Sequence, residues 1–249
     1  MGLTIHYNLK FAGEDSAACK SVEQLHQAAQ TLPFKELHPV IHLQGDDCKH
    51  ERREQDDPLC WLLVQAAGSL KLGQHSRCRV PPSQVIAFEA WPGEGCEPAN
   101  FGLCRYPSFV QSQGKLFPTG LDDWRWHSFC KTQYASDPSC GGIGNFIRCH
   151  LLVIALLDKA AELGCLEKVH DEGKFWENRD VRDLTEQVGT WNGFVAAFAG
   201  QLKDAAGEGL QAPITQFQNF EHLESAGQST LTPEHAQLIE LIQQLVRKK

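Results

Sequence analysis

Residues 124–180 read WRWHSFCKTQYASDPSCGGIGNFIRCHLLVIALLDKAAELGCLEKVHDEGKFWENRD. The first part, 124–134, is strand-like, and a turn rich in Gly and Cys leads from it to an apolar segment, 145–163, that is long enough for a buried helix. After a glycine suited to end that helix, residues 165–170 are strand-like again. The stretch therefore predicts a β-α-β unit that continues into an acidic turn, 171–180.

The N-terminal residues predict a second unit with the same order. Apolar and polar side chains alternate over residues 3–11, which is the period-two pattern of a half-buried strand. Asp15 or Ser16 then caps a helix whose apolar residues recur at intervals of four and three up to Pro33. Residues 38–43 read as the strand that completes the unit. The two units share little sequence identity, so their origin by internal duplication is only a hypothesis.

The remaining elements follow from the same patterns. We expect strands at 60–67 and 84–91, a long amphipathic helix (or two helices) at 181–205, a loop at 207–230 and a final helix from Thr232. Together these elements predict an α+β fold in which helices pack on a mixed or mostly antiparallel sheet. The chain is expected to form two α+β halves, 1–120 and 121–249, or one continuous domain.

The bulk composition limits the classes of function. The chain of 249 residues carries a net charge of -8, which argues against binding to nucleic acid or to acidic membranes. The N-terminal segment contains His6 and Lys10 and lacks the long hydrophobic core of a signal peptide. The longest apolar run, 151–157, is too short to cross a bilayer. We therefore expect a cytoplasmic protein that binds a small molecule or a protein partner, in an oligomeric state that the sequence does not specify.

Ten cysteines are spread along the chain, and no two of them form a CxxC pair. Zinc fingers and zinc ribbons need two such pairs, because a tight turn must present two thiolates to one tetrahedral ion. The chain therefore contains no such zinc motif. Without a secretion signal, we expect the thiols to be reduced and mostly buried.

The acidic turn and the strand at 124–134 concentrate polar and aromatic side chains where a ligand could bind. Strand ends that lead into helices often form sites, because free backbone N–H groups and loop side chains converge there. We expect Lys131, Tyr134 and Arg179 to hold an anionic group, and Trp176 to wall the pocket. The structural alternative is that Arg179 pairs with a neighbouring glutamate while Trp176 covers the edge of the core.

Three residues are predicted to perform acid–base chemistry. His127 or Glu172 would transfer a proton, and His150, on an apolar stripe of the predicted helix, would act as a base if it faced a cleft. A buried His150 with satisfied hydrogen bonds is the structural alternative. These roles predict a hydrolase-like enzyme for a small polar or anionic substrate, provided that Lys131 and Glu172 open into one shared hollow.

Two other functions remain open. The aromatic and acidic side chains of the turn would suit a non-catalytic module that binds a protein partner or a ligand. Alternatively, histidines on neighbouring strands converge on a metal ion, and the candidates for such a site are His6, His42, His170 and the carboxylate of Glu89. No motif in the chain assigns a cofactor, and none assigns a metal.

Overall fold

The computed structural model describes residues 3–52, 57, 59–72, 76–112, 114–206, 213–217 and 219–228. Within these ranges the chain combines α-helices with a mostly antiparallel sheet, which confirms the predicted α+β class.

The elements of the described chain are these. The strands are β1 (Thr4–Phe11), β2 (Glu36–Leu37), β3 (Ile41–Gln44), β4 (Gly68–Lys71), β5 (Arg77–Val80), β6 (Gln84–Trp91), β7 (Ala99–Arg105), β8 (Phe109–Ser112), β9 (Lys115–Pro118), β10 (Trp124–Lys131) and β11 (Leu166–Asp171). The helices are α1 (Asp15–Gln30), α2 (Leu59–Ala66), α3 (Gly142–Glu162), α4 (Phe175–Asn178), α5 (Val181–Ala206) and α6 (Phe220–Gln228). Short 3-10 turns lie between several of them, including Gln133–Ser136 directly after β10.

The main sheet has the order β11-β1-β10-β7-β6, and β2 and β3 both pair with β6 at its far edge. All of these pairings are antiparallel. Two separate hairpins, β4-β5 and β8-β9, lie outside this sheet.

The two predicted halves share one sheet. Strand β1, from the first half, lies between β10 and β11 from the second half and pairs with both. Because β10 and β11 are each antiparallel to β1, they are parallel to one another, and α3 is the helix that connects them. This arrangement is a split β-α-β unit. Side chains from distant parts of the chain therefore become neighbours across β1.

The core forms where α1 and α3 pack together beside the sheet, α1 against β6 and β7, and α3 against β11. Tyr7 and Phe101 stack with ring centroids 4.9 Å apart, and Phe101 stacks on Phe88 at 5.9 Å. All three rings are almost completely buried. Helix α1 buries the stripe that its apolar spacing predicted.

Several local predictions are corrected by the structure. Residues 60–67, predicted as a strand, belong mostly to α2, and β2 and β3 are shorter than the strand predicted at 38–43. Nearly every residue of α2 is apolar, so the sequence offers no clear period, and burial of Leu62, Leu63 and Ala66 against the core stabilises a helix. Helix α6 lies inside the loop predicted at 207–230. The helix predicted from Thr232 lies outside the described residues.

All ten cysteines lie in the described residues, and none of them forms a disulfide. Across the described helices, no stretch has the length and hydropathy of a membrane span.

Candidate functional site

A buried hydrogen-bond network lies where β10 ends beside the acidic turn. His150 Nε2 lies 3.0 Å from Asp171 Oδ2, and His150 Nδ1 lies 3.0 Å from Thr132 Oγ1. Thr132 and His150 are completely buried, and Asp171 is 2% exposed. The network joins the end of β10, helix α3 and the end of β11, which are elements that the β1 pairing brings together.

Asp171 is held as an anion by three hydrogen-bond donors. Besides the imidazole, it accepts hydrogen bonds from the backbone N–H groups of Gly173 (2.8 Å) and Trp176 (3.0 Å). Burial raises the pKa of Asp171. The hydrogen bond and charge of His150 and the two backbone donors together lower it by more, so the pKa lies below its ordinary value. An ionised carboxylate can only accept hydrogen bonds, so Nε2 donates its N–H to Asp171. The other ring nitrogen, Nδ1, faces the Thr132 hydroxyl.

The order Asp–His–Thr has the connectivity of a catalytic triad, but this network is sealed within the protein. Gly173 shows how closely it is packed, because a Cβ added there would lie 2.6 Å from Leu184 and 3.2 Å from the His150 ring. Both nitrogens of His150 already have partners. The structure therefore places His150 as a hydrogen-bonded core histidine, away from solvent.

Lys131 and Glu172 lie on either side of Thr4: Lys131 is the last residue of β10 and pairs with Thr4, and Glu172, the residue after β11, donates its backbone N–H to the carbonyl of Thr4. Glu172 Oε2 accepts a hydrogen bond from the backbone N–H of Thr4 at 2.9 Å. Lys131 Nζ lies 3.4 Å from the Tyr134 hydroxyl and 4.4 Å from the centroid of its ring. Neither Lys131 nor Glu172 is among the lining residues of four surface hollows of the described chain.

Arg179 is bound to an aspartate that the sequence did not suggest. Its two terminal nitrogens lie 2.7 and 2.9 Å from the carboxylate oxygens of Asp158 on α3. Its guanidinium also lies 4.5 Å from the centroid of the Trp176 ring. The ion pair therefore fastens the acidic turn to α3, and Trp176 is half-buried beneath it. With Phe175 also buried, the aromatic residues of the turn do not form an exposed patch.

His127 is the predicted catalytic residue that reaches a surface hollow. The hollow has a volume of about 190 Å³ and is lined by Asn8, Leu9, Gly68, Tyr106, Leu121, Arg125, Trp126, His127 and Glu167. The polar lining comes from three adjacent strands: Asn8 from β1, Arg125 and His127 from β10, and Glu167 from β11.

The His127 ring is oriented by a cross-strand partner. His127 and Asn8 are directly opposite each other in the β1–β10 register, and His127 Nδ1 lies 2.7 Å from Asn8 Oδ1. Because an amide oxygen only accepts, Nδ1 donates its proton, and Nε2 keeps a free lone pair. Burial lowers the pKa of His127, and the nearby His6 lowers it further. The imidazole is therefore neutral near pH 7, as a general base must be.

Arg125 supplies a cation to the same hollow. Among the described residues its acidic partner is Asp123, at 4.0 Å from Nη2, and Asp123 also binds Lys10 at 3.1 Å. The Nε atom of Arg125 is buried and has no hydrogen-bond partner among the described residues. A buried donor without an acceptor is costly, and because Arg125 lines the hollow, its positive charge would stabilise an anion bound there.

The four residues predicted as metal ligands do not converge. His6 and His170 stack at 6.0 Å on β1 and β11, and Phe129 lies at 5.8 Å on the other side of His6. His42 and Glu89 lie at the opposite edge of the sheet, on β3 and β6. Glu89 is close to His38, with Oε1 3.4 Å from the ring nitrogen Nδ1.

The site residues that sequence reasoning missed are Asn8, Arg125 and Glu167. Asn8 lies on the polar face of the first predicted strand, and Arg125 and Glu167 lie in predicted strands. Their residue types and strand positions are visible in the sequence, but the strand order and register that join them are not. Comparison adds no assignment: no protein-family model matches the chain, and no curated protein and no solved structure shows significant similarity to it.

Proposed function

We propose that the protein is a hydrolase that acts on a small anionic substrate in the hollow formed by β1, β10 and β11. The observation that carries the proposal is the pairing of His127 with Asn8 beside Arg125. An oriented, neutral imidazole and an incompletely bound guanidinium are the two groups that such a reaction requires.

The attacking group would be water. None of the nine lining residues is a serine, threonine, cysteine or lysine. Tyr106 is unsuited because its hydroxyl donates to the carbonyl of Ala66 at 2.7 Å, and burial raises its pKa. His127 Nε2 would take a proton from water as the oxygen adds to the acyl or phosphoryl centre. The same proton then passes to the leaving oxygen, so that the imidazole is regenerated.

The substrate would be small and would carry one negative group. A hollow of about 190 Å³ is below the roughly 300 Å³ at which pockets for drug-sized ligands begin. Arg125 would bind the anionic group and stabilise the charge that develops on the reacting oxygen. Glu167, exposed at the rim, would repel a second anionic group on that side.

Binding is tested by following the imidazole signals of His127 by NMR during titration with acetate and with inorganic phosphate. We expect saturable shifts for at least one anion, lost in Arg125→Gln and kept in Arg182→Gln, which removes an exposed arginine outside the hollow. A His127 signal that ignores both anions, or that responds equally in Arg125→Gln, contradicts the placement of the anion.

Turnover is tested with nitrophenyl phosphate and with the nitrophenyl hemiester of succinic acid. His127→Gln should lower kcat/KM by about 10²-fold or more, the usual contribution of a general base. The matched control is His170→Gln, an exposed histidine on β11 that does not line the hollow. Equal turnover by wild type and His127→Gln would show that the imidazole is not the base.

A further inference from the structure

A second cluster of reactive side chains lies at the far edge of the sheet from the His127 hollow. Cys19 and Glu23 are one helical turn apart on α1, and the Cys19 thiol lies 3.4 Å from Glu23 Oε1. His42 reaches the same place from β3. One ligand atom from each residue, a sulfur, a carboxylate oxygen and an imidazole nitrogen, lies within 4.8 Å of the other two.

We propose that Cys19, Glu23 and His42 bind a divalent transition-metal ion of the zinc class. Three protein ligands with one position left open are typical of zinc sites that bind water or a substrate. A thiolate beside an imidazole favours zinc, cobalt or nickel over magnesium and calcium, which prefer oxygen ligands alone. The donor set therefore specifies the class of metal.

The geometry allows the three ligands to close on one ion. In a tetrahedral zinc site the ligand atoms are about 3.5 Å apart, as the metal–ligand distances of about 2.0 to 2.3 Å require. The observed separations of up to 4.8 Å need adjustments of about 1 Å. Glu23 and His42 are exposed, so their side chains can rotate by this amount without disturbing the core.

The charges of the cluster also favour a cation. The Cys19 sulfur lies 3.4 Å from a carboxylate oxygen of Glu23. A dication placed between the two groups would be attracted by the carboxylate and would bind the sulfur as a thiolate.

The open side of the cluster faces a second hollow. This hollow has a volume of about 180 Å³, and its lining includes Cys19, His42, Asp15, Gln44 and Gln84. Asp15 is already bound to Arg105 Nε at 2.9 Å, so it is not needed as a fourth ligand. The fourth position of the ion would therefore be accessible to water or to a small ligand. This site is independent of the function proposed for His127.

The experiment is a titration of the full chain, under reducing conditions, with cobalt(II) and then with zinc(II). We expect one cobalt ion per chain, a thiolate-to-cobalt charge-transfer band in the near ultraviolet, and loss of that band when zinc displaces cobalt. Cys19→Ser should abolish the band. Glu23→Gln and His42→Ala should weaken binding by at least about tenfold each.

Matched controls separate this cluster from the other nine cysteines and ten histidines. Cys78→Ser removes another half-buried thiol, and His170→Ala removes another exposed strand histidine. Both should bind cobalt like the wild type. The proposal is overturned if the wild type binds no stoichiometric cobalt, if the band persists in Cys19→Ser, or if His42→Ala and His170→Ala have the same affinity. Circular dichroism of each variant verifies that the fold is retained.

Discussion

Replacement of Asp171 by asparagine tests whether the sealed Asp–His–Thr network stabilises the fold. The carboxylate is 2% exposed and accepts hydrogen bonds from His150 Nε2, Gly173 N and Trp176 N. Asparagine has nearly the same shape, but one of its two oxygens becomes an NH2 group. The substitution therefore removes charge and one acceptor without creating a cavity.

The expected cost follows from the individual contacts. The asparagine side chain can keep the hydrogen bond from Gly173, whereas its NH2 group would face the N–H of Trp176, donor against donor. An unsatisfied buried donor costs about 1–3 kcal/mol, and the loss of the charge-assisted bond to His150 adds about 1 kcal/mol. We therefore expect the free energy of unfolding to fall by about 3 kcal/mol at pH 7.

This difference should depend on pH with a definite sign. The pKa of Asp171 is lowered in the folded protein relative to its ordinary value of 3.8. Its stabilising contribution is therefore complete above about pH 5, and it decreases as the pH falls through the unfolded and then the folded pKa. The gap in stability between wild type and Asp171→Asn should narrow between about pH 5 and pH 2.

Urea unfolding followed by tryptophan fluorescence measures the free energy of unfolding at each pH. Asp158→Asn is the control, since its ion pair with Arg179 is exposed and should contribute less than about 1 kcal/mol. The reasoning is refuted if Asp171→Asn costs less than about 1 kcal/mol at pH 7, or if its cost is the same at both ends of the pH range.

Three further predictions concern the hollow and the acidic turn. With His127 as the base, kcat/KM should decrease at low pH only below the ordinary histidine pKa of 6.5, because burial lowers the pKa of His127. A pH–rate profile with its inflection above 6.5 would contradict the assignment. Gly173→Ala should lower the free energy of unfolding in urea by about 1–3 kcal/mol, since the new Cβ would lie 2.6 Å from Leu184. An unchanged urea midpoint would show instead that the turn can shift to make room for the methyl group. Arg179→Gln should lower the free energy of unfolding by less than about 1 kcal/mol, because the ion pair of Arg179 with Asp158 is exposed. The same variant should bind anions at His127 like the wild type, and weaker binding would place Arg179 in the site.

The spacing of apolar residues was sufficient to predict a helix or strand where that element buries only one face. The alternation of 3–11, the apolar stripe of α1 and the spacing at 181–205 each predicted an element that the structure contains. The same spacing could not identify a strand that is buried on both faces. In β7 six of seven residues are buried, so no period-two alternation marks it as a strand.

The site could not be predicted in the same way, because its members are neighbours only across the sheet. His127 was recognised as a candidate base, but its partner Asn8 is 119 residues away in the chain. The hypothesis that Lys131 and Glu172 line a common hollow remains a prediction, and the structure gives both side chains other neighbours, the Tyr134 ring and the backbone of Thr4. The polar face of a strand can be read from its own residues, whereas its neighbours in the sheet depend on how the whole chain packs.

Residue order alone therefore established the α+β class, the main helices and the strand that carries His127. Folding decided that β1 lies between β10 and β11, that His150 is sealed against Asp171, and that Cys19 meets His42. The physical reason is that hydrophobic periodicity is a property of consecutive residues, while burial and hydrogen bonding depend on which surfaces meet after the chain has collapsed.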